Sequence, residues 1–336
     1  MLKNKLIALL VSAGMCLACA PGMADGQAFE VLTSFYPMYL LTVNVAGGID
    51  GVNVKNMAEQ NVGCLHDYTL RTGDMRMIHA ADVVVINGAG MESFTDKILT
   101  DQQKPVIVAS EGIDLICDED EDHDHDHDHD HDHDHDHDHD HDHDHDHDHD
   151  HDHDHDHDGH DHGDENAHVW MSPKQAIKQV ENIAEGLIEQ DPAHADAYRK
   201  NADAYIERLN KLDRQVEELL SGVQGAKIVT SHPAFEYLAR DYGIEIVASL
   251  GQEPGEMPRT RDMARLVDDV RDMDIRALFV EKAYSERAAE VLARETGIAI
   301  YALDSLTSGD MDEEAYERGI LADAQTLKEA LENADA

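Results

Sequence analysis

The sequence predicts an α/β protein of two lobes, each a roughly four-stranded parallel sheet flanked by helices, joined by one long spine helix. Three observations predict it. From Phe29 onward, short β-branched runs alternate with helical stretches, the pattern of parallel strands reached through crossover helices. The second half of the chain repeats that alternation. Between the halves, residues 193–221 contain neither Gly nor Pro, so nothing interrupts a helix there.

In the first half, strands are expected at Glu30–Phe35, Val52–Met57, Asp82–Asn87 and Pro105–Ala109, with helices opening near Pro37, Thr72 and Glu92. The second half gives Lys227–Thr230, Glu245–Ala248, Ala277–Val280 and Ala299–Ala302. The spine opens at Asp191-Pro192, an N-cap residue followed by a proline suited to the first helical position. Its apolar positions Tyr198, Ala202, Tyr205, Leu209, Leu212, Val216 and Leu219 step by four and three and make one stripe. At 1.5 Å per residue, about 30 residues give roughly 45 Å, long enough to pack across both lobes. A dimerising coiled coil is the alternative use of such a stripe, although it covers few heptads.

Residues 122–158 are a strict Asp-His alternation with no apolar side chain to contribute to a core, and are expected to form a disordered loop of the first lobe. The wider stretch 118–165 holds 26 of the 72 acidic residues and 20 of the 25 histidines. The net charge of −46 therefore falls to −20 outside it, and either value disfavours nucleic acid as a partner. Imidazole takes zinc, copper, nickel or cobalt, so His123, His125, His127, His129, His131, His155, His157, His160, His162 and their neighbours read as an auxiliary, multivalent metal-binding loop.

The opening residues join a short basic region (Lys3, Lys5) to an apolar run and small residues, the layout of an export signal. Cleavage after Ala24 and lipidation of Cys19 are the two processing readings. The expected boundaries are 1–24 for the signal, 25–190 for the first lobe with the loop 118–165, 191–221 for the linking helix and 222–336 for the second lobe. No later stretch has the apolar length of a membrane span. The mature chain is expected outside the cytoplasm, periplasmic or lipid-anchored, where Cys64 and Cys117 could pair as a disulfide, remain separate thiols or, for Cys64, ligate a metal.

A metal-scavenging loop alone does not require two folded lobes, which directs attention to the five histidines outside it. His66 lies in a polar connection after the second strand, His168 just before a helix, and His232 where the second lobe's first strand turns into its helix. In open α/β sheets ligands bind beyond the carboxyl ends of strands, so all three fall on one rim. Asp304, after the last strand, holds the equivalent place and could add an oxygen to a tetrahedral site. His79 reads as an ordinary helical residue and His194 as an exposed one in the first turn of the spine. Tyr68, Trp170 and Glu281 could orient or shield the site, and packing accounts for each equally well.

The segments Cys64-Leu-His-Asp-Tyr-Thr-Leu-Arg-Thr-Gly-Asp74, Ala167-His-Val-Trp-Met-Ser-Pro173 and Ser231-His-Pro-Ala-Phe235 resemble motifs of the zinc-uptake solute-binding proteins of ABC transporters. Phe35-Tyr-Pro37, Asn87-Gly-Ala-Gly-Met-Glu92 and the His-rich insertion extend the likeness over nearly the whole chain. The resemblance implies metal ligands at His66, His168, His232 and Asp304, Zn2+ as the transported ligand, and a membrane permease with its ATPase as partners. A histidine rather than a carboxylate at 232 implies zinc rather than manganese. A manganese or other divalent-metal binding protein, a zinc-buffering protein and a secreted zinc hydrolase are the rival readings. The hydrolase lacks a His-Glu-x-x-His element, and Glu281 is the one candidate for its general base.

Overall fold

The computed structural model describes residues 28–58, 68–117, 165–251, 257–282 and 287–333. The export segment with Cys19 and Ala24, the stretch carrying Cys64 and His66, and every histidine of the Asp-His loop lie outside the described residues.

The first lobe contains β1 (Phe29–Thr33), α1 (Tyr36–Ala46), β2 (Val52–Asn56), α2 (Thr72–Ala80), β3 (Val83–Ile86), α3 (Asp96–Asp101), β4 (Val106–Val108) and α4 (Pro173–Gln190). The spine is α5 (Ala195–Leu220). The second lobe follows with β5 (Lys227–Thr230), α6 (Glu236–Tyr242), β6 (Glu245–Ser249), α7 (Thr260–Asp272), β7 (Ile275–Glu281), α8 (Arg287–Thr296), β8 (Ile300–Leu303) and α9 (Ala315–Asn333). All strand pairs are parallel, in the orders β2-β1-β3-β4 and β6-β5-β7-β8, so both sheets repeat one topology.

The central strands read as unbroken apolar runs because helices cover both faces. Val83, Val84, Val85 and Ile86 are all buried, as are Ala277 to Val280. The spine's stripe is buried at Tyr198, Ala202, Tyr205, Leu209, Leu212 and Val216, closing on Leu220, with Leu219 only partly buried. These residues belong to one apolar cluster that runs from Val31 and Phe35 in the first lobe to Ile228 and Phe279 in the second. The stripe is thus spent within the fold, and the coiled-coil alternative has no face left to use. The regular helix begins at Ala195, after a 3-10 turn over Pro192–His194. There the Asp191 carboxylate binds both His194 Nδ1 and the Tyr198 hydroxyl, so His194 is half-buried rather than exposed.

A second connection was not legible in the sequence. The segment after β8 turns back toward the first lobe, and α9 packs on both α5 and α1. Tyr36 donates its hydroxyl hydrogen to Asp310 O at 2.6 Å, Asn44 Nδ2 donates to Glu313 O at 3.0 Å, and Arg208 of the spine holds Asn44 Oδ1 at 2.8 Å and the Glu317 carboxylate. The lobes are therefore tied at two levels, and a wide hinge between them meets resistance from both.

Candidate metal centre

His168 and His232 come from different lobes and meet at the boundary between them. Their rings pack edge to face, with centroids 4.7 Å apart and 85° between the planes. Both are buried, at 6% and 2% exposure, an unusual place for two titratable rings.

His168 is placed by the segment that returns from the Asp-His loop. The loop's ends are joined by an antiparallel bridge between Cys117 and Glu165, so the loop is rooted three residues before His168. A 3-10 turn, Val169–Met171, then leads into α4. Trp170 in that turn is fully buried, donates Nε1–H to Ser305 O at 3.0 Å and accepts the Tyr316 hydroxyl at its carbonyl at 2.7 Å. The Trp170 ring lies 5.2 Å from His168 and meets Phe35 edge-on at 5.6 Å. It acts as an apolar wall behind the first imidazole.

The motif around Asn87 supports the same segment from below. Glu92 is buried and its carboxylate accepts from Asn87 N at 2.6 Å, Gly88 N at 3.0 Å and the Ser34 hydroxyl at 2.7 Å. That network turns Asn87 so that Nδ2 donates to Ala167 O at 2.9 Å, while Gln179 Nε2 donates to Asn87 Oδ1. Gly88 has φ of +84°, and a Cβ there would meet Val108 Cγ1 at 2.5 Å, so the turn requires glycine twice over. The motif thereby supports the segment that carries His168.

His232 precedes a 3-10 turn over Pro233–Phe235 at the end of β5, where proline fits the first position. Its Nδ1 lies 2.6 Å from Glu281 Oε1, and Glu281 Oε2 accepts the Ser305 hydroxyl at 2.7 Å. Glu281, the last residue of β7, is 3% exposed on its side chain, so this carboxylate is buried and has both oxygens engaged. In a neutral ring a carboxylate at Nδ1 makes that nitrogen the donor and puts the lone pair on Nε2. Nε2 of His232 is buried without a hydrogen-bond partner. An orphaned acceptor of this kind costs stability unless something occupies it, and an imidazole lone pair beside a second imidazole suits a metal ion.

Asp304 directly follows β8. Its carboxylate takes Leu306 N–H at 2.9 Å and lies 3.5 Å from Lys282 Nζ, and it is about one-third exposed. The carboxylate set against His232 is that of Glu281, from the neighbouring strand. Position after a strand predicts which rim a residue reaches, not where its side chain turns. Tyr68 is buried and donates its hydroxyl to Asp74 at 2.8 Å, serving the start of α2. His79 is an exposed residue of α2. Cys117 is exposed, and its pairing with Cys64 lies outside the described residues. Among the described residues no three His, Cys, Asp or Glu side chains are grouped to hold an ion, and the third expected imidazole, His66, is beyond them.

Comparison with known proteins settles the family. The profile of the family described as zinc-uptake complex component A, periplasmic (ZnuA) matches residues 31–330. The chain belongs to that family. It is 31% identical over 322 residues to the zinc-binding lipoprotein AdcA of Streptococcus pneumoniae R6, covering 91% of this chain and 57% of the relative. It is 28% identical over 274 residues to the iron-binding protein YfeA of Yersinia pestis, covering 80% of this chain and 74% of that one. The solved structure of Zn(II)-bound AdcA from S. pneumoniae superposes with a TM-score of 0.67 and 28% identity, over 90% of this chain and 58% of the other. The chain spans a little over half the length of the AdcA relatives it matches. Among the described residues no helix is long and apolar enough to cross a membrane.

Proposed function

We propose that this protein captures Zn2+ outside the cytoplasm and hands it to the membrane permease of an ABC transporter, whose ATPase drives uptake. The ligands we assign are His66, His168 and His232. Glu281 rather than Asp304 is the carboxylate of the site, backing His232 and supplying negative charge beside the ion. The observation that carries the reading is that His232, whose Nε2 is buried and unpartnered, packs its ring against a second buried imidazole from the other lobe. Imidazole nitrogens favour zinc over harder ions such as manganese, and a site without thiolates tolerates an oxidising compartment. The names of the relatives, zinc-binding and iron-binding, span the metals to be distinguished.

In this account the Asp-His loop is an auxiliary scavenger. Its root at Cys117 and Glu165 tethers weak imidazole sites next to the strong one, which raises the local ion concentration there. A hydrolase is disfavoured because Glu281, its candidate base, has one oxygen on His232 and the other on Ser305. The test is metal content after purification without added metal, followed by competition between zinc and manganese. Zinc retained at one tight equivalent supports the reading; manganese displacing zinc at equal concentration refutes it.

A further inference from the structure

We infer that Asn166 is the positioning residue of this centre, one side-chain amide that fixes the ring of His168 and ties it across the lobe boundary to the segment carrying His232. The inference rests on the reading of the two histidines as ligands and goes beyond it, because Asn166 acts only through His168.

Asn166 is 7% exposed, and both ends of its amide are engaged. Oδ1 accepts twice from one residue, from the backbone N–H of His168 and from its ring Nδ1, both at 2.9 Å. Nδ2 crosses to the second lobe and donates to Pro233 O and Glu236 Oε2, both at 2.8 Å. Two acceptors around one terminus identify it as the NH2, so the terminus facing His168 is the oxygen and its ring partner is Nδ1–H. The lone pair of a neutral His168 is thereby assigned to Nε2, as in His232. The Asn166 main chain is fixed as well, donating to Ile116 O at 2.7 Å and accepting the Tyr237 hydroxyl at 2.7 Å.

The chemistry needs a carboxamide. Aspartate supplies the acceptor for His168 but loses both donors and sets a second carboxylate against Glu236. Alanine loses everything. His232 gets its tautomer from a carboxylate within its own lobe, whereas His168 gets its own from a neutral amide whose other end is anchored in the opposite lobe. Asn166 thus links the two imidazole-bearing segments, and removing it takes away the acceptor that selects the Nδ1–H tautomer of His168. Loss of such an orienting partner typically costs about 10- to 100-fold in metal affinity.

The test uses the full 15N-labelled chain at pH 8, with the His168 ring signals assigned by their loss in H168Q. Long-range 1H–15N spectra of the metal-free protein report the tautomer, and chelator competition reports zinc affinity. The wild type is expected to show a single Nδ1–H form of His168 and one tight site. N166A is expected to show mixed tautomers and a Kd raised about 10- to 100-fold. N166D keeps the Nδ1–H form but binds zinc more weakly than wild type. Adding E236Q to N166D restores a donor opposite the new carboxylate and returns the affinity toward wild type. Wild-type tautomer and Kd in N166A, or no recovery in N166D/E236Q, overturns the role of Asn166. N166D and the double variant carry the test if N166A does not fold. A wild-type chain with no tight zinc site overturns the metal reading instead, and the metal-free spectra separate the two failures.

Discussion

Nδ1 of His232 sits 2.6 Å from Oε1 of Glu281, both side chains 3% exposed, in a protein whose other candidate carboxylate turns to a lysine. This pairing engages one ring nitrogen of His232 and leaves the other, Nε2, buried without a partner, as the proposed role of a ligand requires.

Replacing His232 or His168 with Ala is therefore expected to weaken zinc binding by orders of magnitude while leaving the circular dichroism spectrum unchanged. Calorimetry with a competing chelator measures it. An affinity within error of the wild type removes that histidine from the site.

The two carboxylates give opposite outcomes. E281A, which strips the partner from His232, is expected to raise the zinc Kd by about 10- to 100-fold. D304A breaks a part-exposed contact with Lys282 and the hydrogen bond from Leu306 N–H, and is expected to leave the Kd nearly unchanged. The reverse ranking reinstates Asp304 as the site's carboxylate.

Deleting residues 122–158 is expected to spare the tight site and to lower the total number of zinc ions bound. Equilibrium dialysis at saturating zinc, beside a competition titration, reads both. Loss of the tight site on deletion contradicts the auxiliary role of the loop.

Asp323 of α9 gives a pH prediction. It is 1% exposed and burial pushes its carboxyl up to about 8, against the backbone N–H of Asp304 that it accepts. Its folded pKa is above the unfolded value, so the folded state holds the extra proton and its stability falls as pH rises from about 4 to about 8. D323N removes that penalty. Thermal melts are expected to show little difference from wild type near pH 4 and a Tm higher by several degrees near pH 8. A gain that is the same at both values rules out deprotonation as its cause.

L209A, in the middle of the spine's buried stripe, is expected to destabilise the protein by about 2–5 kcal/mol, as large-to-small core changes do. Urea unfolding measures it. A loss below 1 kcal/mol, the size of a surface substitution, means that the spine is not a shared core element.

Much of this was legible in the residues. The eight strands among the described residues lie within a residue or two of the β-branched runs, because strands buried on both faces must be apolar throughout, as in Val83–Ile86. The spine was legible because its stripe is long and uninterrupted. What periodicity does not encode is the partner a face chooses, so the return of α9 to α1 and α5 was not foreseen. Side-chain direction at strand ends is likewise silent in sequence. Glu281 ends β7 and Asp304 directly follows β8, and only the structure shows that Glu281 turns toward His232. Asn166 shows in the sequence only as a small polar residue two positions before His168; its burial emerges from the structure.

His66, His168 and His232 are proposed to hold one zinc ion. X-ray absorption at the zinc edge, on protein lacking residues 122–158 and loaded with one equivalent, tests it most directly. The account predicts a first shell of nitrogen and oxygen at about 2.0–2.1 Å with the scattering of three imidazoles and no sulfur. A shell with fewer than three imidazoles, or with a sulfur at about 2.3 Å from Cys64, contradicts it.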